Sequence, residues 1–155
     1  MAVFEDLGPI DYFGPFGVLR AVGWLGGGSR FSTGDTAEED FDKLCSLLVK
    51  PWQPGGFLGW HDCDLCQFGT GPKTLRYGDH EIQMGISNLF VPASDRIFVA
   101  PSLIAHYIDC HRYKPPAAFV ESVRACPKMA SMKYKKALLA AGGRELVKSI
   151  SDKEE

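Results

Sequence analysis

Apolar and polar residues alternate loosely from Val18 to Leu25, a period of two that predicts a strand. Gly26 to Ser29 follow as a glycine-rich loop, and no lysine–serine or lysine–threonine pair behind them supports a phosphate cradle. The period then changes. Phe41, Leu44, Cys45, Leu48 and Val49 recur at helical spacing, so one apolar helix face is expected, with Thr36 and Glu39 at capping-box spacing, Asp35 a competing cap and Pro51 the stop. Residues 57–63, FLGWHDC, read as a second strand, and the polar, glycine-punctuated stretch 67–81 as a loop or ribbon. The clearest pattern is SNLFVPASDRIFVAP, a hairpin with strands at Leu89–Val91 and Ile97–Val99 and its turn at Ala93–Asp95. Three helices are expected after it, over about 101–112, 115–125 and 131–149. Pro101 and Pro115–Pro116 suit first helical turns, and Gly142–Gly143 break the last helix.

Strands early and helices late predict an α+β fold, an antiparallel sheet with helices mainly on one face. At 155 residues the chain suits a single domain, residues 1–155, with 1–16 an irregular aromatic lead-in and 150–155 a disordered tail. A chain of this size can bury roughly two-thirds of its unfolded surface, so it does not need a metal merely to fold. The aromatic residues crowded near the N-terminus, Tyr12, Phe13, Phe16, Trp24, Trp52, Phe57 and Trp60, are expected mostly in the core.

Charge changes the picture in one place. The net charge of −2 divides into −7 over residues 1–110 and +5 over residues 111–155, where Lys128, Lys133, Lys135, Lys136, Arg144 and Lys148 gather. That patch can meet an acidic partner or nucleic acid, although a pI near 6.1 disfavours a dedicated nucleic-acid binder. No apolar run reaches the roughly 20 residues of a membrane span, and the start lacks a signal-peptide pattern. The expectation is a cytoplasmic protein with no membrane association. Its five cysteines are then reduced thiols or metal ligands rather than a disulfide framework.

The candidate chemistry lies in GWHDCDLC, residues 59–66. Cys63-x-x-Cys66 has the spacing of a zinc knuckle, in which backbone N–H groups turn toward the sulfurs. On a strand His61 and Cys63 share a face, so His61, Cys63 and Cys66 are taken as three metal ligands. The fourth comes from elsewhere: His80, in the YGDHE turn and most simply a surface residue, and His106, Cys110 and His111, all in PSLIAHYIDCHR, are the candidates, with His106 preferred. At about 100° per residue, His106 and Cys110 share a helix edge, whereas His111 falls in the apolar arc. Zinc is the expected cofactor, with iron not excluded. A redox dithiol fits less well, because Asp62 and Asp64 flank the pair and raise thiol pKa values.

GWHDCDLC, the NLFVP strand and IFVAPSLIAHYIDCHRYKPPAAFVESVRACP together resemble a family of uncharacterised bacterial proteins with a GWHxCxxC stretch, a VP…VAP hairpin and an HYIxxHxYxPPxxF helix pair. The resemblance spans about residues 10–140. It implies no catalytic residue. It places His61, Cys63, Cys66, His106 and His111 at motif positions and leaves Cys110 outside the pattern.

HExxH, PCxxC and GxSxG are absent, so zinc-peptidase, zinc-deaminase and serine-hydrolase signatures fail. The leading reading is a small domain with one structural zinc at His61, Cys63, Cys66 and His106. It acts as a binding module for another protein, as an accessory or antagonist of a bacterial partner. A zinc-dependent hydrolase with an open site and a nucleic-acid accessory protein are the rivals.

Overall fold

The computed structural model describes residues 3–54, 61–66, 69 and 71–148. Its elements, in chain order, are β1 (Leu19–Ala21), α1 (Glu38–Leu48), β2 (Thr74–Tyr77), β3 (His80–Gln83), β4 (Asn88–Pro92), β5 (Ile97–Pro101), α2 (Ile104–His111), α3 (Ala117–Ala125) and α4 (Met132–Ala140). The α+β class expected from the sequence is the class observed. The hairpin β4–β5 pairs antiparallel with Phe90 opposite Val99 and Val91 opposite Phe98. β1 lies on the other side of β5, and this ladder is parallel, Leu19 opposite Ile97 and Ala21 opposite Val99. The three-stranded sheet is therefore mixed. A separate antiparallel ribbon joins β2 and β3.

Every residue of β4 and β5 is buried, so both faces of the hairpin are covered. Directly opposite residues share a face. Val91 and Phe98 look toward α3, where the Phe98 and Phe119 rings meet edge to face at 5.9 Å. Phe90 and Val99 look the other way. There Phe13 from the lead-in packs on Phe90 at 5.3 Å, Trp52 does so at 5.5 Å, and the Trp24 indole donates to the Val99 carbonyl at 2.9 Å. The second face is thus closed by side chains of irregular segments. The lead-in has a packing role, with Ile10 and Phe13 in the core.

Helix ends follow local chemistry where a cap exists. Ser131 accepts the Tyr134 N–H at the start of α4, and Gly142, at a φ of +97°, ends it before a further helical turn over residues 144–148. The capping box expected at Thr36 does not form. α1 begins after Ala37 with no side-chain cap, and the Thr36 hydroxyl is buried without a partner among the described residues. α1 is instead pinned to α3 by a bidentate Asp40–Arg124 pair at 2.7 and 2.8 Å. The guanidinium holds the Asp40 carboxyl below its usual range. Of the strand expected over 57–63, residues 57–60 lie outside the described residues, and His61–Cys63 form no strand. The expected tail at 150–155 also lies outside them.

Candidate metal centre

Two positioning devices bring the cysteine pair to α2. Ser102, just before α2 and fully buried, accepts the Gly85 N–H through its hydroxyl at 2.9 Å. The Gly85 carbonyl in turn accepts the His61 N–H at 2.8 Å. Gly85 sits at a φ of +79°, and a Cβ there would collide with the His61 carbonyl oxygen, so only glycine allows the two backbones to approach this closely. Three residues beyond His61 the chain turns at Asp64–Leu65. The N–H groups of Leu65 and Cys66 point to the Cys63 sulfur, the arrangement the Cys-x-x-Cys spacing predicts.

Cys63, Cys66, His106 and His111 converge. Their four donor atoms all lie within 4.8 Å of one another. Cys66 Sγ is 3.2 Å from His106 Nε2 and 3.6 Å from His111 Nε2, and Cys63 Sγ is 3.4 Å from His111 Nε2. Metal–sulfur bonds of about 2.3 Å and metal–nitrogen bonds of about 2.0–2.1 Å give a tetrahedron whose sulfur-to-nitrogen edge is about 3.6 Å. The observed separations are close to that edge. The two imidazoles stand nearly perpendicular, with centroids 5.0 Å apart, so their Nε2 atoms approach one point without stacking.

Burial sets the protonation of the group. Cys63 is 2% exposed, and desolvation pushes its thiol up to about 11, against the opposing pull of the two N–H groups. Burial lowers the His106 pKa, and His111 beside it adds to the effect, so the ring is neutral and its lone pair available. The polar contacts of this ring run through Nε2; Nδ1 has no partner among the described residues. Gly71 closes one side: at a φ of +88°, a Cβ there would stand 2.9 Å from the Cys63 Cβ and 3.7 Å from His106 Nε2. Tyr107 is fully buried nearby, and desolvation raises its phenol well above the usual range.

The structure brings together three of the expected residues, Cys63, Cys66 and His106, and adds His111. His61 lies elsewhere. Its ring packs against Trp24 and Tyr12, at centroid distances of 6.3 and 6.4 Å, and its contribution to the centre is the backbone bond to Gly85. Cys110 is exposed, with its sulfur toward Asp109. The geometry departs from the expected quartet because both histidines of α2 reach the sulfurs through Nε2, at the far end of their rings, and His111 is the last residue of the helix, with Arg112 beyond it in the left-handed conformation, φ 54° and ψ 27°. A signal for this was present. Cys-x2-Cys followed by His-x4-His falls within the ligand spacing of two-cysteine, two-histidine zinc sites.

Cys63, Cys66, His106 and His111 therefore form a Cys2His2 cluster that could hold a metal ion. No curated protein and no solved structure matches the chain. A family model described as a domain of unknown function, DUF7919, matches residues 2–124, most of the chain, and the protein belongs to that family.

Proposed function

We propose that Cys63, Cys66, His106 and His111 bind one zinc ion in a closed structural site, and that the domain serves as a binding module for another protein. The observation that carries the metal reading is the convergence of two sulfurs and two imidazole nitrogens at separations near a tetrahedral edge. Two thiolates and two imidazoles suit zinc. Four protein ligands fill a tetrahedral sphere, which leaves no position for a catalytic water, and the crowding at Gly71 narrows the approach further. A closed sphere supports a structural ion over a hydrolytic one. In this reading the ion ties the irregular segment after α1 to the end of α2 and so holds the surrounding surface in shape.

Elemental analysis of the purified protein tests the reading. One equivalent of zinc per chain is expected, and iron in its place would reassign the ion. Removing the metal with a chelator should lower the melting temperature and leave a protein that regains it on zinc addition. A cobalt-substituted sample should show the intense visible bands of a tetrahedral thiolate site. Protein isolated without any metal, and unable to take one up, would overturn the assignment.

A further inference from the structure

α4 buries one face and leaves the other without a partner among the described residues. Tyr134 and Leu138 point into the core, and the Tyr134 hydroxyl donates to the Phe90 carbonyl of β4. The outward face carries Lys133, Lys135 and Lys136 around Met132 and Leu139, which are 66% and 40% exposed. Lys128, Arg144 and Lys148 extend the same charge, and Glu145 is the one acid between residues 126 and 148. None of these six cations forms an ion pair among the described residues. Beside the helix opens a cavity of about 250 Å³ lined by Trp52, Met132, Tyr134, Lys135, Leu138 and Val147. α4 and much of this lining lie beyond residues 2–124 matched by the family model.

Resting on the binding-module reading, we infer that this face docks an acidic protein segment that inserts one large apolar side chain into the Trp52–Val147 cavity while its carboxylates meet the α4 lysines. The charge complementarity is direct, since Lys135 lines the hole, five more cations without an ion pair among the described residues lie on α4 and the segments flanking it, and an acidic segment supplies the missing anions. The hole fits one anchor. Small-molecule sites run from about 300 to 1,000 Å³, whereas a single aromatic or leucine side chain in a pocket is the usual centre of a protein contact. An anionic membrane surface fits less well, because the apolar stripe of α4 is spent on the core and only two apolar side chains stand out. Nucleic acid would use the cations, but a pI near 6.1 disfavours a dedicated nucleic-acid binder.

A random dodecapeptide display library selected on the metal-loaded full-length protein tests this. Enriched peptides should carry several Asp or Glu residues around one large apolar residue. Their synthetic versions should lose at least tenfold in affinity when that residue becomes Ala, when the protein carries K133E, K135E and K136E together, and when Val147→Phe fills the cavity. The charge reversals lie on exposed side chains, so circular dichroism should show their fold intact, and Met132→Asp provides a second surface variant. Enriched peptides without acids, or indifferent to Val147→Phe and to the charge reversals, would overturn the inference. So would tighter binding of a single-stranded oligonucleotide or of phosphatidylserine vesicles to the same face. Zinc content is measured in each sample. Peptide binding by a protein without metal would sink the zinc reading alone, and a zinc-loaded protein that selects no acidic peptide would sink this one alone.

Discussion

His111→Ala and His61→Ala form the most informative pair of substitutions, because both histidines neighbour the cysteines in sequence or space and only one points its nitrogen at them. His111 Nε2 makes two of the three short sulfur–nitrogen approaches, 3.4 Å to Cys63 and 3.6 Å to Cys66. Structural zinc binds such peptides with about 10–16 kcal/mol. Shared over four ligands, that is about 3–4 kcal/mol each, and at about 1.4 kcal/mol per tenfold the loss of His111 should weaken zinc binding by about 10²- to 10³-fold. His61 contributes ring contacts to Trp24 and Tyr12, each worth about 0.5–1.5 kcal/mol, so His61→Ala should lower the melting temperature by several degrees and keep one zinc per chain. Competition against a chromophoric chelator gives both affinities, and the cobalt spectrum reports whether the ligand set has changed. Zinc lost from His61→Ala and retained by His111→Ala would refute the ligand assignment, however the stabilities come out.

Gly71→Ala should speed metal transfer to a chelator by tenfold or more and cost about 1–3 kcal/mol, since the backbone is at φ +88° and the new methyl stands 2.9 Å from the Cys63 Cβ; an unchanged transfer rate would contradict the close packing. Tyr113→Phe removes a fully buried hydroxyl that donates to Asp6 at 2.8 Å. Chemical denaturation should show a loss of about 1–3 kcal/mol, and a change within error would mean that the N-terminal segment is not held by this bond. In metal-free protein, burial raises the thiols of Cys45 to about 12 and of Cys63 and Cys126 to about 11 from an ordinary 9.0. The unfolded thiols ionise first, so stability should be complete below pH 9 and fall as the pH rises from 9 toward 11. Melting curves across that window should fall less steeply for the zinc-loaded protein, in which Cys63 is already a thiolate; equal slopes would argue against metal at Cys63.

Local patterns carried the local structure. The hairpin over Asn88–Pro101 and the helix capped by Ser131 rest on contacts between near neighbours, and their apolar periods and turn residues stand in the sequence. The parallel β1–β5 ladder pairs Leu19 with Ile97, a register with no local signature, and the sheet is mixed for that reason. Proximity along the chain also favoured His61 over His111. A helical wheel sets His106 and His111 about 140° apart, as radial points, but these side chains are long and the second is the terminal residue of its helix. The reach of the rings brings together nitrogens that the wheel separates. The His-x4-His spacing carried that information where the wheel did not.

The knuckle itself supplies a reason for a cation. Between Leu48 and Thr74 the described residues contain no helix or strand, yet Cys63 is almost wholly buried. Buried backbone away from ladders must find other partners, and here the N–H groups of Leu65 and Cys66 are aimed at a sulfur. A neutral thiol is a weak acceptor, and bonds to an ionised group are roughly twice as strong, so two N–H groups directed at Cys63 suit a thiolate. A buried thiolate without compensating charge is costly, and burial alone keeps this one protonated at neutral pH, with its pKa pushed up to about 11. A divalent ion between Cys63, Cys66, His106 and His111 would resolve the conflict. It would supply the positive charge that keeps the sulfur ionised, the ionised sulfur would satisfy the backbone of the turn, and the imidazoles of α2 would complete the sphere. The metal, the protonation state and the path of the chain then depend on one another, so ion binding should be coupled to the ordering of residues 61–66 rather than added to a finished site.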